Sequence, residues 1–159
     1  MSGGLSGSAQ RVQEALKALG FELHVLELQQ NTLTAPEAAQ AVGCQLGQIV
    51  KSLVFKGGRT GNPILAIVSG ANRADEAKLA ALLGEPVAKA DANYVRQRTG
   101  FVIGGVAPVG HTEPLRILID QDLMQHGQIW AAAGTPHALF CLTPADLVSM
   151  TGGQVAELK

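Results

Sequence analysis

The sequence carries little charge and almost no excess of either sign. Twelve Lys and Arg residues are balanced by thirteen Asp and Glu residues, for a formal net charge of -1 over 159 residues. Proteins that wrap duplex nucleic acid through its phosphates usually carry a basic excess. We therefore expect no duplex DNA partner, and any contact with nucleic acid must be confined to a local patch.

Long apolar runs and cysteines are scarce as well. No run approaches the ~20 apolar residues of a membrane-spanning helix, and residues 1–8 lack the basic and apolar stretches of a signal peptide. Cys44 and Cys141 are too few for a disulfide framework and form no CxxC pair. The sequence thus predicts a cytoplasmic protein without a membrane partner.

The motifs of common catalytic and metal sites are also missing. The histidines show no HxH or HExxH spacing, so we expect no metal, and no motif indicates a cofactor. They are His24, His111, His126 and His137. No GxSxG elbow offers a serine nucleophile, and Ser52 and Ser69 lie in apolar strand patterns where a structural serine is more typical. If the chain is an enzyme, water is the expected nucleophile.

The composition is that of a folded domain. Hydrophobic residues make up 47% of the chain and charged residues 16%, against about 25% charged residues in an average protein. The 19 glycines lie between periodic segments and not in a low-complexity tract. We expect one domain over residues 1–159, with residues 1–7 as a flexible N-terminus.

Helical and strand patterns alternate along the chain. Ser8 is placed to cap a first helix with Val12, Leu16 and Leu19 on one face, and Thr34-Ala-Pro-Glu37 has the spacing of a capping box. The patterns predict helices over 8–19, 34–42, 74–83, 91–99 and 143–150, and strands over 21–28, 49–56, 64–69, 101–103, 115–120, 129–133 and 138–142. Several strands are joined by connections too short for a crossover helix. We therefore predict an α/β (α+β) fold in which helices surround a curled mixed β-sheet.

Three segments depart from what a structural domain requires. Lys51 lies among apolar neighbours in a predicted strand, where it either extends from an edge strand to solvent or presents a fixed charge to a phosphate or a carbonyl. Two glycines follow the strand predicted over 101–103 and open the segment from Gly104 to His111, which is either a wide turn or a loop whose amides hold an anion or oxyanion. Ala131-Ala-Ala-Gly-Thr-Pro-His137 has tiny side chains, which suit a pocket wall or a closely packed helix equally well.

Taken together, these segments resemble the YbaK-like family of prolyl-tRNA editing domains. The resemblance rests on Val50-Lys-Ser-Leu-Val-Phe55, on Val68-Ser-Gly-Ala-Asn72, on the run from Thr99 to His111, and on Ile129-Trp-Ala-Ala-Ala-Gly-Thr-Pro136 followed by Leu142-Thr-Pro-Ala-Asp-Leu147. The resemblance covers nearly the whole chain. Within the family, the chain is similar above all to the free-standing ProX-like members, which are relatives of the insertion domain of bacterial prolyl-tRNA synthetase. The resemblance implies the YbaK-type fold and hydrolysis of the ester bond that joins a wrong amino acid to tRNA(Pro).

The resemblance also implies roles for particular residues. Lys51 matches the lysine that reaches the terminal adenosine and its phosphate, and Gly104, with Gly105 beside it, matches the glycine whose backbone meets the aminoacyl carbonyl. The matching substrate-binding positions are Ser69, Asn72, Pro108, Gly110, His111, Ala132, Gly134, Thr135 and His137. Catalysis would then use the ribose 2′-hydroxyl or water, with no cofactor or metal.

The implied partner is the acceptor end of tRNA(Pro), with prolyl-tRNA synthetase as a second possible partner. Local phosphate contacts would come from Lys51, Lys56, Arg59, Arg73, Arg96 and Arg98. Two departures weaken a preference for cysteine: Leu26 replaces a tyrosine of the Cys-specific branch, and Ala132 replaces its serine. A binding module that lost the reaction and an esterase for small free esters remain alternatives.

Overall fold

A computed structural model describes residues 5–29 and 34–159 of the chain. Its helices are α1 (Gly7–Ala18), α2 (Ala35–Val42), α3 (Glu76–Leu83), α4 (Ala92–Thr99) and α5 (Pro144–Thr151). Its strands are β1 (Val25–Glu27), β2 (Val50–Gly57), β3 (Pro63–Ser69), β4 (Val87–Lys89), β5 (Arg116–Asp120), β6 (Ile129–Ala132), β7 (Ala138–Leu142) and β8 (Gln154–Ala156). Two short 3₁₀ turns, Leu46–Gln48 and Gln121–Gln125, precede β2 and β6. No helix in these described parts of the chain is long and apolar enough to cross a membrane.

The strands form two sheets. The larger sheet has the order β4-β2-β3-β5-β8, with β2 antiparallel to β3 and β4 and with β5 parallel to β3 and β8. The smaller sheet is antiparallel, in the order β1-β7-β6, and a parallel bridge between Ile49 and Trp130 joins it to the start of β2. The predicted α/β fold with a mixed sheet is confirmed, and the sheet is divided in two where β2 meets β6.

The predicted helix ends follow from side-chain caps and glycines. Thr34 and Glu37 form the predicted capping box, and Asp91 caps α4 through Tyr94. Each of these two helices ends at a glycine in the left-handed conformation, which only glycine adopts without strain. The prediction for α1 was wrong in detail: the cap is Ser6 instead of Ser8, so Gly7 belongs to the helix, and residues 1–4 lie outside the described part. Leu19 follows the helix and is 51% exposed.

Two strand predictions need correction, and two short strands were not predicted. Only Val25–Glu27 of the segment 21–28 pairs, because Phe21 and Leu23 pack against the core without a neighbouring strand. The strand predicted over 101–103 is absent, because the Thr99 hydroxyl binds Phe101 N and a turn bonds Gly105 N to Val102 O. The three-residue strands β4 and β8 were not predicted, since only pairing across the sheet defines them.

The core lies on both faces of the larger sheet. Val50 and Val54 of β2 face the main core with Phe101, whereas Phe55 faces a smaller core under α3. Val50 and Val54 therefore lie on one face of β2 and Phe55 on the other, as the alternation of side chains along a strand requires. In the described residues, β4 pairs with Phe55–Gly57 and the backbone of β6 bridges to Ile49 just before β2. The segment of β2 between these pairings therefore borders an open gap.

Candidate active site

A pocket of about 350 Å³ occupies the gap between the two sheets. Its floor is the β2 segment from Val50 to Val54, and its walls come from α2, the end of β4, the loop over 103–106, and the β6–β7 hairpin. Most lining side chains are apolar, and none of the described lining residues is acidic. Three predicted site residues far apart in sequence meet here: Lys51, Gly104 and Ala132.

Lys51 is the predicted cation among the residues that line this pocket. It is half-buried, and its Nζ donates a hydrogen bond to the main-chain carbonyl of Asn72. Burial lowers the pKa of Lys51, the nearby cations Lys89 and Arg73 lower it further, and Asp120 opposes them. Two of these cations, Lys51 and Lys89, line the pocket, and Arg73 lies near enough to act on Lys51. Such a set of cations suits a ligand with phosphate groups.

A buried polar network fixes the carbonyl that holds Lys51. The fully buried Asp120 accepts hydrogen bonds from Ser69 N at 3.1 Å and from Asn72 Nδ2 at 2.8 Å. Asn72 Nδ2 also donates to Asp122 Oδ2 at 2.9 Å, and Ser69 Oγ donates to Gly47 O at 2.8 Å. The side chains of Ser69 and Asn72 are thus bound to the protein itself, and neither residue lines the pocket.

The glycine loop reaches the pocket through Gly104. Its φ of 87° lies in the left-handed region, so a side chain would be strained there although the nearest atom to an added Cβ, in Pro136, is 3.8 Å away. Gly105 lies against Thr135, where an added Cβ would come within 2.8 Å of the main chain, and Gly105 O accepts a hydrogen bond from Gly134 N. Gly105, Gly134 and Thr135 therefore hold the loop against the β6–β7 turn.

The small-residue strand serves both uses that the sequence left open. Ala132 lines the pocket, whereas Ala131 and Ala133 are buried in the main core. An added Cβ on Gly134 would lie 2.7 Å from Ser8 O of α1, so this glycine allows a helix to pack closely. One alanine of the segment, and not the whole run, forms the pocket wall.

The remaining predicted residues lie elsewhere. Pro108, Gly110 and His111 line a separate, shallow cleft beside Leu19 and Met150. His111 Nε2 lies 2.7 Å from Ala107 O, and burial lowers the pKa of its ring, with Arg11 lowering it further. His137 pairs with Glu27 at 3.5 Å. The structure does not bring these four positions to the pocket.

Sequence reasoning missed several lining residues. Thr34, which caps α2, and Ala35 and Ala38 within α2 line one side. Lys89, the last residue of β4, and Ile103, 57% exposed, also line the pocket. Ile103 directly before two glycines was the one signal in the sequence, since threonine, alanine and lysine are ordinary residues of helices and strands.

Neither a metal centre nor a reactive thiol is formed by the described residues. In residues 5–29 and 34–159, no group of three His, Cys, Asp or Glu side chains is placed to hold a metal ion. Cys44 and Cys141 are free, and burial raises the pKa of both thiols. A raised pKa disfavours the nucleophilic thiolate.

Comparison with known proteins places the chain in a defined family. Residues 29–150 match the family model described as the aminoacyl-tRNA editing domain. The chain is 31% identical over 127 residues to EbsC of Enterococcus faecalis, a candidate Cys-tRNA(Pro)/Cys-tRNA(Cys) deacylase, covering 79% of this chain and 77% of EbsC. It is 33% identical over 105 residues to the proline–tRNA ligase of Limosilactobacillus fermentum, covering 64% of this chain and 18% of the ligase. A crystal structure of a candidate trans-editing enzyme for prolyl tRNA synthetase shares 54% identity at a TM-score of 0.94, with 98% of each chain covered.

Proposed function

Because the chain belongs to the aminoacyl-tRNA editing domain family, we propose that it is a trans-editing hydrolase that removes small amino acids from wrongly charged tRNA(Pro). The observation that carries this proposal is the meeting of Lys51, Gly104 and Ala132 at one apolar pocket. A fixed cation, a loop with exposed backbone and a wall of small side chains are what an aminoacyl ester requires. The resemblance in sequence, EbsC and the trans-editing structure support the same activity.

In the proposed mechanism, the protein positions the ester and polarises its carbonyl. Lys51 binds the terminal adenosine or its phosphate, and the backbone of Gly104 stabilises the negative charge that develops on the carbonyl oxygen. The amide of Gly105, the other predicted catalytic glycine, is already bonded to Val102 O and supports the loop instead. The attacking oxygen comes from water or from the ribose 2′-hydroxyl, because the pocket offers no activated side-chain nucleophile. No cofactor is needed, since the aminoacyl ester is already activated.

The pocket walls favour several small amino acids. Ala132 contributes little bulk, and Leu26, 44% exposed, is paired with the lining residue Leu139. Discrimination by one methylene is worth only about 1–3 kcal/mol. We therefore propose overlapping activity on Cys- and Ala-tRNA(Pro), in the cytoplasm where tRNA is charged.

The test is deacylation of tRNA(Pro) charged separately with Cys, Ala, Ser and Pro, with and without prolyl-tRNA synthetase. We expect release of Cys and Ala and retention of Pro. Binding of charged tRNA without any release would instead identify a non-catalytic module. Equal turnover of a free aminoacyl ester and of charged tRNA would show that the tRNA is not recognised.

A further inference from the structure

One buried hydroxyl in the pocket has no partner. Ser52 Oγ is inaccessible and, within the described ranges 5–29 and 34–159, it is the one buried side-chain polar atom without a hydrogen-bond partner. Ser52 lines the pocket. Buried polar groups in native proteins are nearly always paired, and the exceptions often mark functional sites.

The main chain of Ser52 also faces the gap. Alternate residues of an antiparallel strand turn their amide groups toward opposite neighbours. Gly57 N donates to Asn62 O at the β3 end of the hairpin, whereas Val54 O accepts from Ala90 N beyond β4. Ser52, two residues from Val54, therefore turns its N–H and C=O toward the β4 side, where β4 pairs only with Phe55–Gly57.

The described side chains that line the pocket offer few other acceptors for a positively polarised group. None of its described lining side chains is acidic, and the Thr34 hydroxyl is already bound within the capping box of α2. A carbonyl or phosphate oxygen of the ligand can use Lys51 or loop amides. An amino group instead needs an acceptor, and Ser52 supplies two, its hydroxyl and its carbonyl oxygen.

We propose that Ser52 is a substrate-positioning residue whose hydroxyl turns about the Cα–Cβ bond into the pocket and, together with the main-chain carbonyl, accepts hydrogen bonds from the α-amino group of the aminoacyl ester. This proposal rests on the editing function proposed above. The α-amino group is common to all aminoacyl esters, so Ser52 would orient every substrate and would not select among side chains. Because Ser52 Oγ has no partner in the protein, the hydroxyl breaks no hydrogen bond when it turns to the ligand.

The experiment compares the full chain with Ser52→Ala and Ser52→Thr, the latter keeping a hydroxyl. The ligands are two stable adenosine 3′-amides, one carrying an alanyl group and one a propionyl group that lacks the amine. We expect Ser52→Ala to weaken binding of the alanyl analogue about tenfold and binding of the propionyl analogue by less than about twofold. Ser52→Thr should bind both analogues about as well as the unmutated protein does. Across the variants, deacylation of alanyl-tRNA(Pro) should fall in parallel with binding of the alanyl analogue.

Stability provides the readout that separates positioning from structure. Removing a buried hydroxyl without a partner should leave the melting temperature unchanged or raise it. Equal losses for both analogues, or no loss for either, would overturn the role of Ser52 even if the protein deacylates tRNA. Failure of the unmutated chain to deacylate any charged tRNA would overturn the editing function and this proposal together.

Discussion

The position of Lys51 depends on residues outside its own strand. Its ammonium group is bound by the carbonyl of Asn72, and Asn72 is held by Asp120 and Asp122. A lysine fixed by a buried carboxylate network loses less conformational freedom on binding than a free surface lysine. The charge is therefore prepared for a ligand before the ligand arrives.

Replacing Lys51 with Met should reduce activity without unfolding the protein. Met keeps most of the aliphatic stem but removes the charge, so we expect kcat/KM for alanyl-tRNA(Pro) to fall about 100-fold. The matched control is Lys78→Met, since Lys78 pairs with Glu157 at the surface of α3. Deacylation assays and thermal unfolding of both variants decide the matter. Retained activity in Lys51→Met would show that Lys51 does not take part in substrate binding or catalysis.

Gly104→Val should lower kcat more than it raises KM. The positive φ of Gly104 makes a branched side chain strained, at a cost of about 1–2 kcal/mol, and the strain should displace loop amides that act on the transition state. Gly84→Val is a matched control, because Gly84 has a φ of 76° and no atom within 4 Å of an added Cβ. Steady-state kinetics of both variants test the role of the loop. A loss confined to KM would leave Gly104 with substrate binding alone.

Residue types that are unusual in their setting could be identified from the sequence. A lysine in an apolar strand, paired glycines and an alanine run drew attention to Lys51, Gly104 and Ala132, which line the pocket. Lys89 and the small residues of α2 are ordinary for their elements and gave no signal. The missing partner of Ser52 Oγ could not be predicted, because it depends on which atoms surround the hydroxyl in space.

At the scale of elements, the pocket depends on the contact between the glycine loop and the β6–β7 turn. Helix ends could be predicted, since capping residues act within a few positions of the chain. The loop did not form its predicted strand, because the hydroxyl of Thr99 binds the main chain of Phe101 at its start. Contacts between distant segments, such as Gly105 with Thr135, have no local pattern.

Gly105→Ala should destabilise the protein and open the pocket. The added Cβ would come within 2.8 Å of the Thr135 main chain, so the two segments must separate, at a cost of about 1–3 kcal/mol. Gly127→Ala is the control, since an added Cβ on Gly127 meets no atom within 4 Å. Urea unfolding measures the loss, and an equal stability of the two variants would contradict the close contact.

At the scale of the whole molecule, His111 should make stability depend on pH. Burial lowers the pKa of the folded His111 below its ordinary 6.5, so the unfolded chain binds the proton more readily. The free energy of unfolding should therefore fall as the pH drops from about 6.5 toward the lower pKa of the folded state. His111→Gln should flatten the pH dependence of unfolding in that window. An unchanged slope in the variant would assign the pH dependence to other groups.

The near-neutral charge of the molecule predicts a weak dependence of tRNA binding on salt. With a net charge of -1, attraction to the polyanion depends on local cations, and we expect the contacts to come from Lys51, Lys89 and Arg73, which act on one another. Three contacts to a single strand imply a slope of about -2 when the logarithm of the association constant is plotted against that of the salt concentration. Arg73→Gln should reduce the magnitude of the slope by about 0.7, whereas Lys78→Gln should leave it unchanged. Fluorescence titrations of tRNA binding between low and physiological salt measure this slope. A slope of about -6 or steeper would show that the protein contacts much more of the tRNA than its CCA end.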